Sequence, residues 1–211
     1  LFASGDIGEG GNQLQTTVGN IKGQSTTGSV WVLNLGPLTV GGVPGATGQG
    51  VVAGGGVTVT TQSPLIVSEP VTAETGNIVL TSGDNAGTDD DLTVKAGIRV
   101  WAQAGDITIR AGDNPIFETG AILQAAGTVT IMCDYNDPVD PDPGAGGVIE
   151  IDAANVVTAA YLNLIGGADA DLIILTSTPT GTPTDVLTQG GADVVNIRAI
   201  NSLTTVYAGD G

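Results

Sequence analysis

Apolar and polar residues alternate in short runs along most of the chain, and several of these runs open with glycine. The clearest runs are GNIVLTSGDN from Gly76, GDITIRAGDN from Gly105 and GTVTIMCDYN from Gly127. Side chains two positions apart share one face of a β-strand, so each run predicts a strand with one buried face. No segment combines helix caps with the apolar stripe of an amphipathic helix.

Four runs carry an apolar pair at the same two offsets after the opening glycine, and this shared register predicts that the strands stack. One such strand cannot bury its apolar face alone, whereas successive parallel strands build a continuous core. We therefore predict an all-β fold, a parallel β-helix (β-solenoid) of about eight coils. The alternative is an antiparallel β-sandwich, which also has many short strands joined by regular turns. The pairs are Ile78/Leu80, Ile107/Ile109, Val129/Ile131 and Ile149/Ile151, and further runs open at Gly28, Gly56, Gly167 and Gly191.

The remainder of each row predicts one or two additional strands and the loops between them. We expect residues 1–55 to form irregular, glycine-rich coils and residues 56–211 to form the regular helix. Segments 84–91 and 134–146 are predicted to protrude as loops from one corner of the coil. The additional strand candidates are LTV (92–94), IRVWA (98–102), AILQA (121–125) and YLNLI (161–165).

The charge balance restricts the class of partner. The chain carries 22 acidic and five basic residues, for a formal net charge of −17. Nucleic-acid binding requires clustered Lys and Arg to neutralise phosphates, and the basic residues here are scattered. The composition therefore argues against a nucleic-acid partner and against an anionic membrane surface. No run reaches about 18 apolar residues, so we predict no membrane insertion.

Histidine is absent and Cys133 is the single cysteine. Without histidine there are no His-based zinc sites or His-dependent catalytic triads. Cys133 is expected to be a small buried hydrophobic residue, with an intermolecular disulfide as the alternative. We identify no catalytic constellation and predict that the chain is not an enzyme.

Two acidic segments predict a calcium site, because calcium takes six to eight oxygens from carboxylates, carbonyls and water. They are GDNAGTDDD and the proline-containing CDYNDPVDPDP. The alternative is structural, with aspartates stacked on one corner as turn residues that hydrogen-bond local backbone. Asp113 joins the candidates because it follows the first strand of its row at an offset similar to those of Asp84 and Asp134. The candidate ligands are Asp84, Asp89, Asp90, Asp91, Asp113, Asp134, Asn136, Asp137, Asp140 and Asp142.

The phrase GDITIRAGDN, followed by GAILQAAGTVTI, resembles the repeats of filamentous haemagglutinin-type adhesins and related giant bacterial surface proteins. The resemblance covers residues 70–165 and rests on short motifs. It implies a right-handed parallel β-helix at the cell surface. Beyond Gly166, GGADADLIIL and GGADVVNIRAI instead resemble the Gly-Asp-rich repeats of large secreted proteins, some of which bind calcium.

These patterns together predict an extracellular structural or adhesive segment of a larger secreted protein or filament, stabilised by calcium. The open edges of a parallel coil favour end-to-end self-association, and surface glycans or another surface protein are further expected partners. One alternative is a calcium-dependent glycan-binding module, with Trp31, Trp101 and Tyr161 as stacking platforms. The other is a β-helix polysaccharide lyase or hydrolase.

Overall fold

A computed structural model describes residues 1–87, 89–135, 141 and 143–209, and all regular structure in this part of the chain is β-strand. The coil has three faces, which we call A, B and C. Successive strands along the chain lie on these faces in that order, except near the end of the described chain, where face A has no strand. The pairings between these strands are all parallel. The predicted parallel β-helix is confirmed and the antiparallel sandwich is excluded. No described segment forms a helix long and apolar enough to cross a membrane.

Each face is a stack of strands from successive coils. Face A consists of β1 (Phe2–Ala3), β4 (Gly23–Ser25), β7 (Val51–Ala53), β10 (Val71–Ala73), β13 (Arg99–Ala102), β16 (Ile122–Ala125) and β19 (Val156–Thr158). Face B consists of β2 (Leu14–Thr16), β5 (Val30–Asn34), β8 (Val57–Thr61), β11 (Ile78–Ser82), β14 (Ile107–Ala111), β17 (Thr128–Met132), β20 (Tyr161–Ile165), β22 (Thr184–Leu187) and β24 (Thr204–Tyr207).

Face C has two parts. Strands β15 (Pro115–Phe117) and β18 (Val148–Ile151) lie side by side where the parts meet, but they belong to different sheets. The Asn114 side chain accepts the Val148 N–H at 2.9 Å and so connects them. The first part is β3 (Asn20–Ile21), β6 (Leu38–Val40), β9 (Leu65–Val67), β12 (Leu92–Val94) and β15 (Pro115–Phe117), and the second is β18 (Val148–Ile151), β21 (Leu172–Leu175) and β23 (Val194–Ile197).

The core consists of apolar columns that run along the coil axis. The residues that alternate with a column point outward and are half-buried. The register predicted from the rows at 76, 105 and 127 is therefore confirmed, and the less regular run at 56 pairs in the same register. One column of face B is fully buried and is formed by the aligned residues Val57, Ile78, Ile107 and Val129.

The fourth predicted row was placed on the wrong face. Ile149 and Ile151 belong to face C, where they align with Ile173 and Leu175, whereas face B continues from β17 into β20. The rows that open at positions 167 and 191 supply the next two strands of face C, β21 and β23. A glycine before an alternating run marks a corner of the coil, and the coil has more than one such corner.

Face B contains nine strands within the described residues, where about eight coils were expected. At about 4.8 Å between neighbouring strands, its length is about 38 Å. Strands on either side of the expected boundary between residues 55 and 56 pair in register, since β5 pairs with β8 and β7 pairs with β10. Beyond β19, segments 176–183 and 198–203 take the position of face A without forming strands.

Candidate functional site

Aspartates gather where the chain turns from face B to face C, and we call this set the acidic corner. Four of its members, Asp90, Asp113, Asp134 and Asp171, are only 2–8 % exposed. Buried carboxylates are costly unless they accept hydrogen bonds. The set comprises Asp84, Asp90, Asp91, Asp113, Asp134, Asp169, Asp171 and Asp193.

In the first half of the acidic corner, carboxylates accept backbone N–H groups from the same or the neighbouring coil. Asp90 accepts the N–H of Asn85 at 2.6 Å, and Asp113 accepts the N–H of Asp90 at 2.9 Å. Asp91 accepts from both the backbone N–H and the side-chain amide of Asn114. These bonds stabilise the corner, but those of Asp113 and Asp91 reach the neighbouring coil, whereas the structural alternative assumed bonds to local backbone.

The second half repeats this arrangement around Asp134 and Asp171. Asp134 accepts the N–H groups of Ala168 and Asp169 at 2.9 and 3.1 Å. Asp171 accepts two further N–H groups, from the glycines at positions 147 and 167, at 2.7 and 2.6 Å. Asp134 itself has a φ of 47°, in the left-handed region that aspartate tolerates better than most residues.

Asp171 also lies beside the thiol of Cys133, which donates a weak hydrogen bond to Oδ1 at 3.6 Å. Burial raises the pKa of Asp171, although its two backbone hydrogen bonds oppose this shift. Burial first, and then the charge of Asp171, raise the pKa of Cys133 far above its ordinary range. Cys133 is 1 % exposed, as expected for a small buried residue.

The structure places six of the ten predicted calcium ligands at or near this corner. Asp113 and Asp134 occupy adjacent coils, where the Asp134 N–H donates to the Asp113 carbonyl at 3.2 Å. Asp84 packs against Gly112, and Asp89 is exposed. Within the described residues, no group of three or more metal-binding side chains could hold one ion. Calcium binding stays a prediction, because the other four candidates lie outside the described residues; they are Asn136, Asp137, Asp140 and Asp142.

Sequence reasoning missed Asp169, Asp171 and Asp193 as members of the corner. Asp91, Asp171 and Asp193 each directly precede a face C strand. The Asp171 N–H donates to the Asp193 carboxylate at 2.9 Å. Aligning the rows on their face C strands instead of their opening glycines would have shown this column.

The three aromatic residues considered for glycan stacking do not form one platform. Trp101 lies on face A, where the Arg99 guanidinium stacks 3.7 Å from the ring centroid. Trp31 and Tyr161 are both on face B, in strands β5 and β20, five strand spacings or about 24 Å apart. A hydrogen bond to Asp185 raises the pKa of Tyr161.

A groove lies along the break in face C, where β15 and β18 meet. Its volume is about 710 Å³, and it combines the apolar side chains of Ile116 and Val148 with the carboxylates of Glu118 and Glu150. Glu118 is already engaged by Lys95 at 2.6 Å, and this hydrogen bond lowers the pKa of the glutamate.

Comparison of the chain with protein-family models, with curated proteins and with solved structures finds no match. The resemblance to haemagglutinin-type adhesins therefore rests on the short motifs, while the β-solenoid fold that it implied is observed.

Proposed function

We propose that the chain is a structural segment of an extracellular β-solenoid rod on a bacterial surface, and that copies stack end to end. The observation that supports this most strongly is the uncovered last coil. Val206 aligns with the buried Val186 in a core column of face B, yet Val206 is 47 % exposed. A further coil stacked on β24, either from a continuation of the same chain or from another copy, would bury it.

Other side chains of the last coil favour the same contact. Leu203 is 73 % exposed, and Ile200 and Tyr207 are also more than half exposed. Among the described strands, β24 pairs with β22 on one side and with none on the other, and an unpaired strand edge is a template for another strand. Leu1 and Phe2, at the opposite end of the coil, are exposed as well. An apolar surface at each end of the described coils suits axial contact with a further coil, of the same chain or of another copy.

The charge of the chain opposes such stacking unless cations intervene. A net charge of −17 on each copy produces mutual repulsion at low ionic strength. Calcium at the acidic loops would reduce this repulsion, and calcium stabilisation is therefore part of the proposal. The surface location and an adhesive role are supported by the GDITIRAGDN-type motifs, and the proposal includes no chemical reaction.

The test is the mass of the purified chain by light scattering, after chelation and again in millimolar calcium. We expect calcium to produce elongated species larger than a monomer. Val206→Asp should abolish this growth, because it places a charge in the buried contact. Val156→Asp is the matched control, since Val156 is 48 % exposed but lies in β19, on the side of the rod.

The melting temperature of each variant separates loss of association from loss of folding. A monomeric wild type in both conditions would contradict end-to-end stacking. Equal association of the two variants would contradict the contact through β24.

A further inference from the structure

A cleft of about 310 Å³ lies on the outer surface of face B, beside the acidic corner. Part of its lining is an outward column of side chains on consecutive coils, in which Thr60 aligns with Thr81 and Thr81 with Arg110. Tyr135 and Gln62 also line the cleft. Neighbouring strands are about 4.8 Å apart, so Thr60 and Arg110 are separated by about 10 Å.

Arg110 has a buried donor that no acceptor in the described part of the chain satisfies. Its Nε atom is buried without a hydrogen-bond partner, and no described residue forms an ion pair with it. By contrast, Lys22 and Lys95 form ion pairs, and Arg99 donates to a side-chain amide oxygen at 2.6 Å. In a chain with 22 acidic residues, an arginine that pairs with no described carboxylate has strong donors available for a ligand.

The surroundings of Arg110 restrict the ligand that would satisfy it. Thr81 on one side offers a hydroxyl, and Met132, which aligns with Arg110 on the next strand, offers no strong acceptor. The guanidinium carbon is 5.0 Å from the centroid of the Tyr135 ring, so the cationic group lies beside an aromatic ring. A planar guanidinium binds a carboxylate through two parallel hydrogen bonds.

The rest of the cleft matches a hydroxyl-rich body. The Thr60 and Thr81 hydroxyls and the Gln62 amide can each donate or accept. Asp84 also lines the cleft, and its negative charge would repel a second anionic group on the ligand. A ligand with one carboxylate at its Arg110 end and neutral hydroxyls on the remainder satisfies these conditions.

We propose that this cleft binds a sugar acid, with the carboxylate on Arg110 and the ring hydroxyls toward Thr60, Thr81 and Gln62. The volume lies at the small end of the range for ligand sites and suits a single monosaccharide. Since the cleft is on the side of the coil and not on its ends, the site does not depend on end-to-end stacking.

The experiment is a ligand-observed NMR titration of the whole chain with D-glucuronate, D-glucose and acetate. We expect D-glucuronate to bind with a Kd of about 1 mM, and glucose and acetate to bind at least about tenfold more weakly. Arg110→Gln should weaken D-glucuronate binding by about tenfold or more, because it removes a charge-assisted bidentate contact. Arg198→Gln makes the same charge change at an exposed residue outside the cleft and should leave binding unchanged.

Thermal unfolding of both variants checks that the fold is retained. Unchanged D-glucuronate binding in Arg110→Gln would overturn the assignment, as would its absence in the wild type at about ten times the expected Kd. Acetate that binds as tightly as D-glucuronate would overturn the role of the hydroxyl-bearing side chains. Glucose binding as tight as that of D-glucuronate would overturn the role of the ligand carboxylate.

Discussion

Cys133 and Asp171 show how position in the coil determines the chemistry of single residues. The Cys133 thiol is buried at the acidic corner and faces the Asp171 carboxylate. Both burial and the neighbouring negative charge disfavour the thiolate. Because the folded pKa is raised above the ordinary value of 9.0, the stabilising contribution of the thiol is complete below that pH. It is lost as the pH rises further.

We predict that Cys133 resists alkylation in the folded protein. Iodoacetamide requires an accessible thiolate, and the native state provides neither accessibility nor ionisation. At about pH 8, modification followed by mass spectrometry should be at least about a hundredfold slower in buffer than in denaturing urea. Similar rates in the two solutions would show that the thiol is exposed or ionised.

The turn between β20 and β21 depends on the fit of an aspartate side chain against a glycine of a following coil. Gly167 has no room for a side chain, because a Cβ there would overlap the Oδ2 atom of Asp134. The same carboxylate accepts the two N–H groups that follow Gly167 in the chain. This element therefore pairs an aspartate with a residue that lacks a side chain.

We predict that Gly167→Ala lowers the free energy of unfolding by about 1–3 kcal/mol, since the Asp134 side chain must shift and its hydrogen bonds weaken. Gly87→Ala is the control, because a Cβ at Gly87 meets nothing within 4 Å. Urea denaturation should show a change of at most about 0.5 kcal/mol for Gly87→Ala. Equal effects of the two substitutions would contradict the close fit of the turn.

The whole molecule combines an apolar core with a strongly acidic exterior. The described core columns of face B contain no charged residue, and the described carboxylates lie on the outer surface or in the acidic corner. This separation allows the coils to stack despite the net charge of −17. The repulsion that remains acts between surface groups, where salt and divalent cations reduce it.

Calcium is predicted to raise the stability of the chain beyond the effect of ionic strength. At about 100 times its Kd, a specifically bound ion adds about 2.7 kcal/mol to the free energy of unfolding. Thermal melting in calcium should exceed melting in magnesium at equal ionic strength, because magnesium dehydrates reluctantly.

The double variant D137N/D140N should lose this difference between calcium and magnesium. The variant E74Q/E150Q removes the same number of charges from exposed positions outside the two acidic segments and should keep it. Equal melting of the wild type in calcium, magnesium and chelator would be the contrary result.

The acidic corner could be predicted from the sequence only in part, and the Arg110 cleft could not be predicted. Sequence reasoning found Asp113 and Asp134 because both follow a strand of face B at similar offsets. It missed Asp171, whose N–H partners come from two different turns of the chain, and it gave no reason to single out Arg110. Whether a buried or charged side chain finds a partner often depends on residues more than 20 positions away, and only the stacked coils bring those residues together.

For the fold too, the features set by the local sequence pattern could be predicted, and those set by long-range contacts could not. The β-strand content, the parallel stacking and the register of the rows from Gly76 to Gly127 follow from alternation and opening glycines, which are local properties of the chain. The face that each run occupies does not follow from them, because runs on faces B and C have the same local pattern. Ile149 shows this ambiguity, since its run reads like that of Val129 but pairs on face C. Contacts between coils, and not the pattern within one run, assign each strand to its sheet.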